Sequence, residues 1–454
     1  MVTTSHSCRS GSSVKDLVGI GIGPFNLSLA ALLDHVPALQ AAFYDAKPEF
    51  SWHEGLMFPR SILQTSFLKD LVTPVLPTSP HSFVNFLVAH KRFYDFMAGR
   101  FTGVSRSEFA SYMGWVAHGL PSTNWNMKAQ AIRFGGDAFE IDFENGRRVR
   151  ARNLAIATGM TANTPEWAVP HMGPTCFHAG SYLHPAPDTA GKRVVVVGGG
   201  QTGAEIVLDL LTQSRRRPAQ VSWISKLSRF SPLEEGGFVD HVFTPGYIDA
   251  YRTLPEAAKR SEVGGQKLAS DGLTPATIEA LYEEIYRRRH LDAGPDGIAL
   301  LPGRSVTGLE ADGGAYRIIT QTTALNARET FPADVVILAM GARACLPDCM
   351  APLKPLIRCD RPGVPALHED YRMDFDGPST NRIYGLNLGL ASHGIADPQM
   401  SLMAWRAATI VNSLQGHDVF DLSRAEDLIC WPREGDPRAH EAQARAMTSA
   451  IAAQ

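Results

Sequence analysis

The 454-residue chain predicts an α/β fold with two Rossmann-like dinucleotide-binding domains and a small helical domain. Three observations carry this. A run of four valines at 194–197 leads straight into Gly198, Gly200 and Gly203 and then into a helical pattern. A second strand, glycine turn and helix occupy residues 16–33. Between them and the C-terminal third, residues 230–289 switch to helical patterning.

The central stretch, GKRVVVVGGGQTGAEIVLDLL, is the clearer unit. Consecutive β-branched residues suit a parallel strand buried on both faces. The helix after the turn, from Thr202 to Leu211, places Ala204, Val207, Leu208 and Leu211 on one face. Backbone N–H groups at such a turn, with the positive end of the helix, hold a pyrophosphate. The early unit, DLVGIGIGPFNLSLAALL, has Gly21 and Gly23, with Asn26 where a third glycine usually stands. Its next strand, AAFYD, ends in Asp45, placed to accept hydrogen bonds from a ribose. The corresponding strand of the central unit, VSWISK, ends in Ser225 and Lys226, with Arg229 nearby and no acid. A carboxylate would repel a 2′-phosphate, whereas a hydroxyl and two cations favour it. The first turn therefore reads as an FAD site and the second as an NADPH site.

Composition excludes more than it selects. Hydrophobic residues make up 44% and charged residues 20%, ordinary for a globular protein, and the net charge of −3 gives no reason to expect nucleic acid. The arginine triplets at 215–217 and 287–289 follow helical patterns and read as solvated helix ends favoured by the dipole. Cys8, Cys176, Cys345, Cys349, Cys359 and Cys430 lack metal or redox spacing, which suits a reducing cytoplasm and no metal site. Residues 1–15 are polar and read as a disordered tail. The uncharged run 17–33 contains glycines, a proline and an asparagine, and fits a nucleotide loop rather than a membrane span.

Taken in order, residues 48–87 are too irregular for a long helix and too aromatic for a linker. Here Trp52, His53 and Gln64 can cover a cofactor, and Lys69 sits as a lone cation in an apolar run that wants an anionic partner. Residues 82–97 read as one amphipathic helix. Ser105 and Glu108 form a capping box before the next helix. AQAIRF, AFEIDF and RRVRA make a β-meander, and residues 153–159 a further buried strand. Strands return at 316–321 and 334–341, and the chain closes with a strand, a loop and a long helix starting near Pro398. The expected domains are an FAD unit over 16–190 and 345–454, an NADPH unit over 191–235 and 300–344, and a helical substrate-binding insertion over 236–299.

FSWHEGLM, QTSFLKDLVTP, SFVNFLVAHKRFY, GGGQTGAE, QKLASDG and HGIADPQMSLMAWR together resemble the flavin-dependent N-hydroxylating monooxygenases of siderophore biosynthesis. The lysine N6-hydroxylases and the putrescine or cadaverine N-hydroxylases are closer than the ornithine enzymes. The resemblance implies a cytoplasmic homo-oligomer, a dimer or tetramer, using FAD, NADPH and O2. It further implies N-hydroxylation of the terminal amine of L-lysine or a short diamine through a C4a-hydroperoxyflavin, supplying a hydroxylamine for a hydroxamate siderophore. An ornithine N5-hydroxylase is the alternative.

Carried over, the flavin site matches Gly21, Gly23, Asn26, Asp45, Trp52, His53 and Gln64, and the NADPH site Gly198, Gly200, Gln201, Thr202 and Gly203. Lys69 matches the residue facing a substrate carboxylate, and Ser401 a substrate residue on the last helix. Asp240 and Asp271 stand where the ornithine enzymes carry asparagine. Gln201, Ser401 and Asp271 are the expected catalytic positions, with capping of the helix at LTPATIEAL as another role for Asp271. Two motifs depart from the family and its kin. Residues 339–342 read Ala-Met-Gly-Ala in place of ATGY. The histidine motif FxGxxxH appears only as 173–178, with the wrong spacing, which argues against Baeyer–Villiger chemistry. A disulfide reductase, the rival two-dinucleotide enzyme, needs an early redox cysteine pair that Cys8 and Cys176 cannot supply.

Overall fold

A chain that must bury an uncharged strand on both faces places it at the centre of a sheet. β1 (Lys15–Ile20) does so between β2 (Ala41–Tyr44) and β3 (Arg148–Ile156), parallel to both. In this computed structural model the described residues are 14–433, except 60, 102, 185, 213–215 and 296. Residues 1–13 of the expected tail, with Cys8, and Arg215 of the first arginine triplet lie outside them, whereas Lys15, expected in the tail, opens β1.

The first sheet runs through Thr123–Asn124, β2, β1 and β3, then turns antiparallel through Phe139–Phe143 and Ala129–Phe134. Ile383–Gly385 adds a parallel partner to β3. The last strand of the meander and the strand expected after it are one element. The first half of β3 pairs antiparallel with the meander, and its second half pairs parallel with β1. Helix α1 (Pro24–Leu33) is buried from Phe25 to Leu33, which explains why the run 17–33 carries no charge. No helix among the described residues is long and apolar enough to cross a membrane.

The stretch 82–97 is two helices, Phe83–Ala89 and Phe93–Ala98. Lys91 adopts φ +59, and Arg92 N–H donates to Leu87 O at 2.9 Å, closing the first helix with a left-handed cap that periodicity alone does not reveal. Helix α2 (Arg106–Gly119) starts where expected, with Ser105 Oγ accepting from Glu108 N–H at 3.1 Å.

The second sheet has β4 (Arg193–Val197) at its centre, between β5 (Gln220–Ile224) and β6 (Val335–Leu338), with Ile298–Leu301 and Cys176–His178 at its edges. The strand Cys176–His178, in the stretch expected to belong to the FAD unit, pairs with β6 in the second sheet. Helix α3 (Gln201–Thr212) follows the glycine turn after β4. A three-stranded antiparallel sheet, Arg304–Asp312, Ala315–Thr322 and Arg328–Ala333, covers one face of this domain. Only its middle strand is plain in the sequence.

The insertion is helical as expected, from the 3-10 turn Val239–Phe243 to α4 (Pro275–His290). Its arginine triplet lies in the last helical turn as expected, with Arg287 and Arg289 exposed, but its middle member is not solvated. Arg288 is buried, pairs with Glu284 and donates to Leu211 O at the end of α3; Arg287 pairs with Glu284 and Asp292. The closing helix α5 (Met403–Gln415) starts after a 3-10 turn at Met400–Leu402, later than Pro398, and packs along α1.

Candidate active site at the two glycine turns

The glycines of each turn divide the work in the same way. Gly21 adopts φ +85, and a methyl there would stand 2.5 Å from Ala157 O; Gly198 adopts φ +129, and a methyl would stand 2.0 Å from Ala339 O. Both turns are closed by sterics and admit no side chain. The next glycine is different. A methyl on Gly23 would meet nothing within 4 Å, and one on Gly200 only Asp271 O, at 3.9 Å. That is bare backbone at a helix start, the cradle a pyrophosphate needs. The third position packs helix against strand: a methyl on Gly203 would lie 2.2 Å from Gly198 O. A dinucleotide fits both turns.

In the first unit Asn26 takes the third place, and its side chain turns inward. Wholly buried, its amide donates to Gly21 O at 2.8 Å, Ala155 O at 3.2 Å and Ile20 O at 3.3 Å. It clamps the turn from below rather than facing the cofactor. Gly19 makes room for it, since a methyl there would collide with Phe43 and reach Asn26. Asp45 accepts from Ile22 N–H at 2.6 Å and Lys47 N–H at 2.9 Å. This carboxylate sits at the end of β2 beside the turn, the ribose position.

At the second turn Ser225 is buried, and its Oγ lies 2.3 Å from where a methyl on Gly199 would be. Lys226 and Arg229 are exposed beside it, with Arg229 Nε donating to Ser231 Oγ at 3.3 Å. Thr202 is half-buried in the first turn of α3. Trp223, which the motif search passes over, donates from Nε1 to Gly198 O at 2.8 Å and stacks on Phe230 with centroids 3.9 Å apart.

The segment 52–69 lies between the two units. His53 adopts φ +50 at the start of a 3-10 turn, its ring 5.0 Å from that of half-buried Trp52. Although His53 is exposed, the atoms crowded around its ring lower its pKa below the ordinary imidazole value, and the nearby cations Arg106 and Lys47 lower it further. Gln64 is exposed. Thr65 Oγ1 and Ser401 Oγ lie 3.1 Å apart, joining this segment to the start of the last helix. Lys69, four residues on, is half-buried, and its ammonium makes no ion pair among the described residues.

Three expected catalytic positions fare differently. Ser401 is placed as above. Both amide atoms of Gln201 are taken: Nε2 donates to Glu205 and Thr277, each at 2.9 Å, and Oε1 accepts from Thr274 N–H at 2.9 Å. This glutamine is a strut, not a free donor. Asp271 is paired with Lys267 and half-exposed, and Thr274, not Asp271, is the N-cap of α4. Asp271 comes near the second turn only through its carbonyl. Asp240 is exposed in its 3-10 turn, without an ion pair among the described residues. The described cysteines are free thiols, so no disulfide flanks either turn.

The stretch 339–342 keeps the glycine of the usual motif and carries the chain between the domains. Gly341 adopts φ +74, and Ala342–Arg343 pairs antiparallel with Thr161–Ala162, so the chain's two crossings between domains run side by side.

Residues 13–344 match the family described as L-lysine 6-monooxygenase/L-ornithine 5-monooxygenase. The chain is 40% identical over 426 residues to L-lysine N6-monooxygenase of Escherichia coli, spanning 92% of this chain and 98% of the relative. A FAD-bound cadaverine monooxygenase of the desferrioxamine pathway from Erwinia amylovora superposes with a TM-score of 0.86, at 26% identity over 93% of this chain and all of that one. An ornithine N-hydroxylase from Kutzneria, solved with reduced FAD, NADP+ and L-ornithine, gives 0.82 at 28% identity, covering 89% and 99%.

Proposed function

Since the chain belongs to the L-lysine 6-monooxygenase/L-ornithine 5-monooxygenase family of flavin-dependent N-hydroxylating enzymes, we propose that it hydroxylates the terminal amine of L-lysine, with FAD at the first turn and NADPH at the second. The hydroxylamine would feed a hydroxamate siderophore. The observation that carries the choice of substrate is Lys69, a half-buried cation without an ion pair among the described residues, on the segment that Thr65 ties to Ser401. A carboxylate supplies the missing partner, and Asp240 remains for the α-ammonium. The acid at 240 also supports a second reading, a diamine such as cadaverine, held by Asp240 alone.

The bound flavin, reduced by NADPH, supplies the activated oxygen; everything else falls to the chain. Asp45 and the open backbone at Gly23 hold the flavin nucleotide, and Gly200, Ser225, Lys226 and Arg229 hold the nicotinamide one. Half-buried Trp52 would help to keep bulk water from the reacting end. The amine must arrive uncharged, yet a free alkylamine has a pKa of about 10.4, leaving roughly one molecule in a thousand neutral near pH 7.5.

The test is hydroxylamine formation with NADPH and O2 across L-lysine, L-ornithine, putrescine and cadaverine. Lysine should give the highest kcat/KM with tight coupling of NADPH use to product. Hydrogen peroxide as the only product with every amine would end this reading.

A further inference from the structure

The first turn of α3 carries the dinucleotide cradle on its open side, and its other side joins three parts of the molecule. Arg106, at the start of α2 in the flavin domain, makes a two-pronged ion pair with Glu205 of α3, at 2.9 and 3.0 Å. The pair is shielded, with 17% of the arginine and 7% of the glutamate side chain accessible. One helical turn earlier Gln201 donates to the same Glu205 and grips Thr274 and Thr277 at the start of α4 in the insertion. Arg106 N–H in turn donates to Ser61 O at 2.9 Å, which ties this junction to the segment leading to Gln64, Thr65 and Lys69.

We propose that Arg106 and Glu205 are positioning residues that set the distance between nicotinamide and flavin, and that Gln201 transmits the same register to the insertion. The inference rests on the cofactor assignment above. Elsewhere the domains meet through the paired crossings at 161–162 and 342–343 and through Gly55 and Phe58 against residues 179–183. Those contacts are backbone pairs and ring packing. Arg106–Glu205 is the charged, directional contact at the cradle itself. A bidentate guanidinium–carboxylate pair fixes orientation as well as distance, which a lysine cannot reproduce. Hydride transfer needs the reacting atoms held near van der Waals contact, so a shift of about 1 Å costs up to about a hundredfold in rate.

The experiment uses the FAD-loaded protein under anaerobic conditions. Arg106→Lys and Glu205→Gln should each slow flavin bleaching by NADPH at least about tenfold. Bleaching by dithionite, and the apparent KM for lysine, should stay within twofold of wild type by the roughly additive behaviour of distant sites. The Arg106→Gln/Glu205→Gln double variant, in which two amides can bond, should recover part of the rate lost by either single glutamine. A readout independent of turnover is amide hydrogen exchange in the cofactor-free protein. Exchange at residues 53–58 and 179–183 should rise in the single variants while β1 and β4 stay protected. Unchanged exchange with unchanged bleaching by NADPH would overturn the proposal. If a variant loses folded structure, the double variant decides, since recovery there requires the pairing. Failure of wild type itself to be bleached by NADPH would instead defeat the cofactor assignment.

Discussion

Replacing Lys69 by alanine separates the two substrate readings, because cadaverine is lysine without its carboxylate. Lys69 is half-buried and makes no ion pair among the described residues, so removing its ammonium breaks no structural pair there. The cost therefore falls on the ligand. A hydrogen bond between charged groups contributes about 1.5–3 kcal/mol. At about 1.4 kcal/mol per factor of ten, the apparent KM for lysine should rise roughly 10- to 150-fold. The KM for cadaverine should change less than about threefold, since neither end of that molecule pairs with a cation. Steady-state hydroxylamine formation with both amines at saturating NADPH measures this, with the flavin spectrum as a check on folding. Equal losses for the two amines would refute the carboxylate anchor and return Lys69 to the fold or the flavin.

Gly23→Ala should fold as well as wild type, or be more stable by about 0.5 kcal/mol, because φ −90 suits alanine and the methyl meets nothing within 4 Å. It should nevertheless purify without flavin, which an absorbance spectrum and a thermal melt decide together. Lys226→Ala with Arg229→Ala should raise the KM for NADPH at least about tenfold and leave that for NADH nearly unchanged; parallel losses would deny these cations the 2′-phosphate. His393 is fully buried against Tyr371, and burial with nearby Arg252 holds its pKa down at about 3. The unfolded chain takes up a proton near pH 6.5 and the folded one does not, so stability is complete above 6.5 and is lost as pH falls toward 3. Between pH 6.5 and 5 that loss is about 2 kcal/mol. His393→Gln should flatten this part of the pH–stability curve in chemical denaturation, and an unaltered slope would count against the assignment.

Much of the architecture was legible because it depends on local rules. Buried parallel strands announce themselves as apolar runs, and both glycine turns sit where the spacing puts them. The capping box at Ser105 was readable because its two members, Ser105 and Glu108, lie three residues apart. What escaped depends on distance in sequence. Nothing local says that Arg106 will meet Glu205, 99 residues on, or that Gln201 will be consumed by Thr274 and Thr277. The break at Lys91 and the membership of Cys176–His178 in the second sheet likewise arise from tertiary context. Arg288 looked like surface because it stands in a basic triplet; its one buried member is chosen by the orientation of α4 against α3.

Asn26 shows how a motif can keep its geometry after losing a residue. A third glycine lets helix and strand approach closely, as Gly203 does. Asparagine is larger by a whole amide, so the approach must be recovered elsewhere, and β1 recovers it with Gly19, whose missing side chain leaves room for Phe43 and Asn26. The amide then supplies three hydrogen bonds to the carbonyls beneath the turn. The second turn obtains comparable support from outside, through Trp223 Nε1 on Gly198 O. Each cradle thus has one side chain donating to the carbonyl of its first glycine, from the helix in one case and from the neighbouring strand in the other. The bare faces of Gly23 and Gly200 are held rigid without any side chain entering the space a pyrophosphate takes.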